Sequence, residues 1–144
     1  MVISSFPDLT VRDVRSSVRF YRTLLDLEVV VDYGWYAELG VGERTLIAFV
    51  QQGHETVPAA MTMPPAGVLL SFVVDDVDQI AGRATELAHQ IVWPLTTELG
   101  QRHLMIADPD GAVVDVIQHV ALTAVDRRRL VQLRREHEHQ PLNG

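Results

Sequence analysis

One strand-helix pattern occurs twice in this chain, and this internal repeat constrains the fold more than any other feature. The stretches SSFPDLTVRDVRSSVRFY (residues 4–21) and GVLLSFVVDDVDQIAGRA (residues 67–84) each run from apolar, strand-like positions into a helix. An aspartate precedes each helix, Asp13 in the first copy and Asp76 in the second, 63 residues later. Aspartate is a preferred helix N-cap. The repeat therefore predicts two copies of one structural unit.

Both copies continue into three further extended segments. In the first half, residues 28–32 are strand-like, and a GVGE turn joins the segments at 35–39 and 45–50. In the second half, a strand at 90–93 precedes a hairpin around the DPDG turn, residues 108–111. Each half therefore predicts the order β-α-β-β-β, and the expected fold class is α+β.

The segment between the two halves is rich in residues that interrupt regular structure. Residues 51–67, QQGHETVPAAMTMPPAG, contain three prolines and two glycines, and such a segment is longer than most loops of a compact domain. A chain of 144 residues is also of single-domain size. We expect one structural domain with a first module at 1–51, a linker at 52–66, a second module at 67–119, and a C-terminal helix and tail at 120–144.

Composition excludes several classes of function. The formal net charge of −7 and the isoelectric point near 5.2 argue against a nucleic-acid partner, because phosphate neutralisation needs a basic surface. The chain has no cysteine, which excludes disulfides, thiolate nucleophiles and cysteine-based metal sites. No apolar run approaches the roughly 18 residues of a spanning helix, and the N-terminus lacks a signal-peptide pattern. We therefore expect a cytoplasmic protein with no membrane partner.

Two motifs carry a resemblance to a known group of proteins. The helix start D-V-x-x-S-x-x-F-Y runs from Asp13 to Tyr21, and a G-x-R…D-P-D-G…D block runs from Gly100 to Asp115. With the paired modules, they resemble the glyoxalase / bleomycin-resistance / extradiol-dioxygenase group, the vicinal oxygen chelate superfamily, over residues 2–119. The resemblance implies two modules in a cupped, eight-stranded mixed sheet with the helices outside and a ligand cavity inside. It also implies a homodimer.

The resemblance further implies four metal-ligand positions on the first and last strands of the modules. In this sequence these positions are Phe6, Ala48, Leu69 and Asp115. A divalent ion needs several converging nitrogen or oxygen donors, and only Asp115 supplies one, so we expect neither a metal nor another cofactor. Among the histidines, His103 is predicted to point away from the cup, and His137 and His139 lie in a polar tail.

Strand alternation predicts a mostly apolar lining for the cup. The expected inward positions are Phe6, Asp8, Thr10, Trp35, Ala37, Leu39, Leu46, Ala48, Val50, Leu69, Ser71, Val73, Arg102, Leu104, Ile106, Val113, Asp115 and Ile117. The ligand-contact candidates among them are Phe6, Trp35, Ala48, Leu69, Ser71, Arg102, Leu104 and Asp115. Trp35 suits stacking on an aromatic ring, and the linker residues Met61 and Met63 can fold over the cavity.

These features favour a metal-free protein that binds a hydrophobic or aromatic small molecule, as the drug-resistance members of the superfamily sequester antibiotics. Two alternatives stay open. A metal-independent isomerase or lyase would use Asp8 or Asp115 as the base and Arg102 to hold an anionic oxygen, although Arg102 and Asp115 also suit a structural ion pair. A metal-dependent glyoxalase or dioxygenase would follow if the strand register differed. A further alternative is that Phe6 and Leu69 fill a collapsed core and line no ligand cavity.

Overall fold

The computed structural model describes residues 1–138, which form eight strands and three helices. In chain order the elements are β1 (Asp8–Val11), α1 (Val14–Leu25), β2 (Glu28–Asp32), β3 (Tyr36–Val41), β4 (Arg44–Gln51), β5 (Leu69–Val73), α2 (Val77–Glu86), β6 (Ile91–Glu98), β7 (Gln101–Ala107), β8 (Val113–His119) and α3 (Ala124–Glu138). Two βαβββ modules and a C-terminal helix confirm the predicted α+β class. None of the helices within residues 1–138 is long and apolar enough to cross a bilayer.

The strands form two four-stranded sheets of identical topology, in the orders β1-β4-β3-β2 and β5-β8-β7-β6. In each sheet the first strand of the module runs parallel to the last, and the other neighbours are antiparallel. Asp8 lies opposite Ala48 in the first sheet, and Ser71 lies opposite Asp115 in the second. The sequence repeat is therefore a structural repeat, in which Asp8 corresponds to Ser71 and Ala48 to Asp115.

Both long helices of the modules begin at the predicted aspartates. The Asp13 carboxylate accepts a hydrogen bond from the backbone N–H of Arg15, and the Asp76 carboxylate accepts one from that of Gln79, both at 3.1 Å. These bonds satisfy amide groups that have no partner inside the helix. α1 ends at Asp26, which has a left-handed backbone conformation with φ of 55°. The local capping signals thus place both helices correctly.

Each of these helices covers one face of the sheet in its own module. The face under α1 carries Leu9, Val11, Ala37, Leu39, Ile47 and Phe49, and the face under α2 carries Leu70, Leu104, Ile106, Val114 and Val116; all are buried in one hydrophobic core. Because side chains alternate along a strand, the residues between them lie on the opposite faces, which we call the uncovered faces. Any ligand that reaches a sheet must do so there.

The two modules are joined through their helices. The Tyr21 hydroxyl on α1 donates a hydrogen bond to Asp108 Oδ2 in the second module at 2.8 Å, and the Tyr21 ring contacts Phe72 with centroids 6.0 Å apart. In the opposite direction, Arg83 Nη1 on α2 lies 2.7 Å from Asp26 Oδ2 at the end of α1. The two modules thus share one hydrophobic core and these contacts.

Two glycines give a matched test of backbone conformation in the second module. A Cβ added at Gly82, inside α2, or at Gly111, in the DPDG turn, would meet no atom within 4 Å, but Gly111 has φ of +84°. We expect Gly82→Ala to raise the free energy of unfolding by about 0.5–1 kcal/mol. Gly111→Ala should lower it by about 1 kcal/mol, because alanine disfavours positive φ. Urea unfolding of both variants checks this, and shifts of the same sign would contradict it.

Candidate functional site

Two central strands present the opposite faces from those predicted. Ala37 and Leu39 on β3 and Leu104 and Ile106 on β7 were expected in the cup, but all four lie in the core under the helices, at most 2% exposed. The prediction for these residues, including the ligand-contact candidate Leu104, is therefore wrong. A one-residue error in strand phase moves every side chain to the other face. The uncovered faces instead carry Tyr36 and Glu38 on β3, and His103 and Met105 on β7.

Arg102 is on the covered side of the second sheet and is held by α2. Its Nη2 lies 2.7 Å from Asp78 Oδ1, and its Nε donates to Asp78 Oδ2 at 3.0 Å. The hydrogen bond from Arg102 lowers the pKa of the Asp78 carboxyl. Arg102 also bonds Thr97 Oγ1 at 3.1 Å. The predictions that Arg102 contacts Asp115 or holds an anionic ligand oxygen in the cup are therefore wrong.

His103 takes the place beside Asp115 that was predicted for Arg102. Its Nδ1 lies 2.8 Å from Asp115 Oδ1, and its Nε2 lies 3.3 Å from Glu98 Oε1. His103 and Asp115 are 6% and 5% exposed. Burial alone would lower the pKa of the imidazole, but hydrogen bonds and charges from the two carboxylates outweigh it and raise the pKa. The predicted outward direction of His103 is wrong, and the cluster is a buried imidazole between two carboxylates.

The four positions that the resemblance assigns to metal ligands can now be located. Ala48 is fully buried, Phe6 and Leu69 are 36% and 48% exposed, and Asp115 uses its carboxylate on His103. Phe6 and Leu69 are thus too exposed to be core plugs. Ser71 is exposed on the strand beside Asp115. Across residues 1–138, no cluster of three or more His, Asp or Glu side chains has an arrangement that could hold a metal ion.

The uncovered face of the first sheet carries two adjoining cavities under the linker segment. The larger, about 330 Å³, is lined by Asp8, Tyr33, Trp35, Tyr36, Val50, Thr56, Val57, Pro58 and Met61. The smaller, about 220 Å³, is lined by Asp8, Leu9, Thr10, Ala60, Met61, Met63 and Pro65. Asp8 and Met61 belong to both. A wider depression of about 910 Å³ lies along α1 and β2, but charged side chains line much of it and no aromatic side chain does.

The linker segment is held over the larger cavity by its own turns and by a stacked ring pair. Backbone bonds from Val57 N to His54 O and from Met61 N to Pro58 O, 2.9 and 2.8 Å long, close two turns. The His54 imidazole lies parallel to the Trp35 indole, with ring centroids 3.9 Å apart. Met61 and Met63 line the cavities, as the sequence led us to expect.

Sequence reasoning picked Trp35 but missed most of the aromatic wall around it. Tyr33 stacks on Trp35 and on Tyr36, with centroids 6.3 and 6.4 Å apart. The chain has two tryptophans and three tyrosines, and three of these five fall within residues 33–36. That clustering was a usable signal for an aromatic surface. The contact of His54 with Trp35 joins residues distant in sequence and gave no such signal.

A carboxylate pair lies on the same uncovered face. Glu38 accepts hydrogen bonds on both oxygens, from the Tyr36 hydroxyl at 2.8 Å and from Thr45 Oγ1 at 2.6 Å. Burial and the nearby charge of Glu38 raise the pKa of the Asp8 carboxyl. Burial and the hydrogen bond to Glu38 raise the pKa of the Tyr36 phenol. The larger cavity therefore combines an aromatic wall with one negative group at its edge.

Comparisons with known proteins agree with this architecture. A family model described as a glyoxalase-like domain matches residues 5–121. An integron cassette protein from the mobile metagenome of V. cholerae is 25% identical, with a TM-score of 0.66 over 82% of this chain and 97% of that one. TioX from Micromonospora sp. ML1 is 20% identical, with a TM-score of 0.65 over 81% and 99%. A lactoylglutathione lyase from Agrobacterium tumefaciens is 20% identical, with a TM-score of 0.61 over 81% and 94%. No curated protein sequence matches the chain.

Proposed function

The chain belongs to the glyoxalase-like domain family of the vicinal oxygen chelate superfamily, and from that premise we propose that it binds an aromatic small molecule without a metal ion. The site of binding is the cavity on the uncovered face of the first sheet. The observation that carries this proposal is the wall formed by Tyr33, Trp35 and Tyr36 under the linker segment.

The size and chemistry of the cavity suit such a ligand. Pockets for small molecules typically enclose about 300–1,000 Å³ and combine apolar walls with a few polar groups, and this cavity of about 330 Å³ is at the lower end of that range. Its opposite wall is formed by Val57, Pro58 and Met61 from the linker segment. A flat ring between the two walls would contact aromatic faces on one side and flexible apolar atoms on the other.

The stacked pair of Trp35 and His54 supports the same proposal. The indole face already accepts a parallel ring at a centroid distance of 3.9 Å, which shows that this wall is shaped for stacking, and the linker segment needs to move outward only far enough to admit the ligand. The segment has no helix or strand of its own, and apart from the bonds of Gln52 to Val11 O and Thr62 O its hydrogen bonds close short turns, so a small outward movement beyond Gln52 breaks few contacts. Sequestration of an aromatic antibiotic is the biological role that we propose for this binding.

A metal-independent isomerase or lyase is the second candidate. Asp8 lines both cavities, and its raised pKa suits a general base. One neighbour of similar fold is named a lactoylglutathione lyase, but the positions implied for its type of metal site hold Phe6, Ala48 and Leu69 here. The test is exchange of an acidic C–H proton of a bound ketone: it supports the candidate if Asp8→Asn abolishes it, and no exchange by the wild type contradicts it.

We also propose a homodimer. The uncovered face of the second sheet and its edge strand expose Leu69, Val73 and Trp93, which are 48%, 62% and 47% exposed, and exposed apolar side chains in one region favour an interface. Light scattering of the purified chain tests the proposal. We expect twice the chain mass at micromolar concentration, and a Val73→Glu variant of half that mass; a monomeric wild type at all concentrations contradicts the proposal.

Binding is tested by titrating a panel of aromatic compounds while recording tryptophan fluorescence and thermal unfolding. Trp93→Phe leaves Trp35 as the sole tryptophan, and we expect this variant to keep both the quenching and the thermal shift. At a ligand concentration of about 100 times Kd, stabilisation should be about 2.7 kcal/mol. Trp35→Leu should weaken binding at least tenfold. Unchanged fluorescence and unfolding across the panel would contradict the proposed function.

A further inference from the structure

We propose that this cavity selects an organic cation, namely a flat aromatic ring that carries a protonated amine. The inference rests on the proposed function and narrows the class of its ligand. It is carried by three features of the cavity walls: a carboxylate without a cationic partner, an electron-rich aromatic surface beside it, and a buried hydroxyl without any hydrogen bond.

The first feature is the carboxylate of Asp8, which lies where the two cavities meet. Within residues 1–138 it takes part in none of the ion pairs or side-chain hydrogen bonds, and no arginine is among the residues that line either cavity. Glu38, whose charge acts on Asp8, has both oxygens occupied by Tyr36 and Thr45. The negative charge at the cavity edge is therefore uncompensated, and an ammonium group would supply a charge-assisted hydrogen bond to it.

The second feature is the aromatic wall beside Asp8. The faces of tryptophan and tyrosine attract cations that lie within about 6 Å of the ring centroid. Trp35 and Tyr36 have centroids 5.8 Å apart and Tyr33 lies within 6.4 Å of both, so a cation at this wall can contact more than one ring. The same wall stacks a ring system, as the imidazole of His54 does on Trp35. The ring and the charge of one ligand therefore use the same surface.

The third feature is Thr10, which lines the smaller cavity and is 3% exposed. Its Oγ1 is buried and makes no hydrogen bond, whereas buried hydroxyls in proteins usually have a partner. A ligand group that enters the smaller cavity past Asp8 would provide that partner. This places the ring in the larger cavity, the ammonium at Asp8 and a short hydroxylated arm at Thr10.

These features imply an order of affinity among ligands of equal shape. A neutral ligand removes water from Asp8 and returns no charge, so it binds more weakly than a cation. An anion is repelled by Asp8 and by Glu38. With 2-naphthylmethylamine, 2-naphthalenemethanol and 2-naphthoate as probes, calorimetry at pH 7.5 should give the amine at least tenfold higher affinity than the alcohol. The carboxylate should bind most weakly.

Substitution of Asp8 isolates the charge. Asp8→Asn keeps the size of the side chain. It should lower the affinity for the amine at least tenfold and change the affinity for the alcohol less than threefold. Asp75→Asn is the matched control: Asp75 is exposed and lines neither cavity, so it should leave all three affinities unchanged. Adding an N-hydroxyethyl arm to the amine should raise affinity in the wild type but not in Thr10→Val. An equal gain in both would remove Thr10 from the proposal.

The pH dependence gives an independent readout. The amine stays protonated below its own pKa, so its affinity should fall only as Asp8 takes up a proton. Because the pKa of Asp8 is raised above its ordinary value of 3.8, the fall should begin at higher pH than for an ordinary aspartate, and the alcohol should show no such fall.

Equal binding of amine and alcohol, or an unchanged amine affinity in Asp8→Asn, would overturn the inference and leave aromatic binding intact. Failure of all three probes to bind would contradict the proposed function as well.

Discussion

Replacement of Asp108 by alanine is expected to lower the free energy of unfolding by about 4 kcal/mol, since it would leave several buried donors unpaired. Asp108 is 6% exposed. Its Oδ2 accepts from the Tyr21 hydroxyl at 2.8 Å, and its Oδ1 accepts from the backbone N–H groups of Asp110 and Ala112, both at 2.9 Å. Tyr21 is fully buried, so its hydroxyl would lose the one acceptor that the structure gives it. One side chain thus holds the DPDG turn and docks α1 of the other module.

Urea unfolding measures this effect. Asp108→Asn should cost less than the alanine variant, because the amide oxygen still accepts from the two backbone N–H groups. Asp75→Ala serves as the control, since Asp75 is exposed and surface substitutions usually change stability by less than about 0.5 kcal/mol. A loss in Asp108→Ala no larger than in this control would show that the Tyr21 contact does not hold the modules together.

The module architecture could be predicted from the sequence because its signals are local or repeated. Asp13 and Asp76 cap their helices by bonding backbone amides that lie within one turn of them, so each helix start is a local signal. The end of α1 at Asp26 follows from the change to strand-like residues directly after it. Because the two halves share one sequence pattern, a topology inferred for one half also applies to the other. Two unrelated segments would not have justified that inference.

The strand phases of β3 and β7 could not be predicted in the same way. A set of apolar residues on one face of a strand shows that this face avoids water, but it does not show whether a helix or a ligand cavity covers it. Leu39 and Leu104 were assigned to the cavity and are covered by helices. Contact with α1 and α2 decides the phase, and this contact is a tertiary interaction with no trace in the strand itself. The partnership of His103 with Asp115 was missed for that reason.

The same limit applies to the candidate site. Trp35 was selected from strand alternation and from its capacity to stack on an aromatic ring, and the structure places it in a cavity. His54 and Glu38 acquire their places there through contacts with residues elsewhere in the chain: His54 stacks on Trp35 across 19 sequence positions, and Glu38 bonds Thr45 on the next strand. Neither partner can be read from the residues around it.

Substitution of His103 by leucine is expected to lower the free energy of unfolding by about 3 kcal/mol near pH 6, since removal of one partner leaves Asp115 buried without a counter-charge. The imidazole lies 2.8 Å from Asp115 and 3.3 Å from Glu98. Its pKa is raised in the folded protein, so its charge stabilises the fold fully below about pH 6.5, the ordinary value. That contribution is lost as the pH rises through the raised value. As the pH rises from about 6.5 through the raised pKa of His103, the free energy of unfolding of the wild type should therefore fall, and that of His103→Leu should not.

A double variant separates the buried ion pair from a general packing defect. His103→Leu combined with Asp115→Val removes both charges, and replacement of a whole buried pair by apolar residues is often close to neutral. We therefore expect the free energy of unfolding of the double variant to lie within about 1 kcal/mol of that of the wild type. This loss would be much smaller than the sum of the losses in the two single variants. Losses that simply add would show that His103 and Asp115 act independently. In that case packing alone would stabilise the cluster on the second sheet, and the predicted loss of wild-type stability with rising pH would be absent.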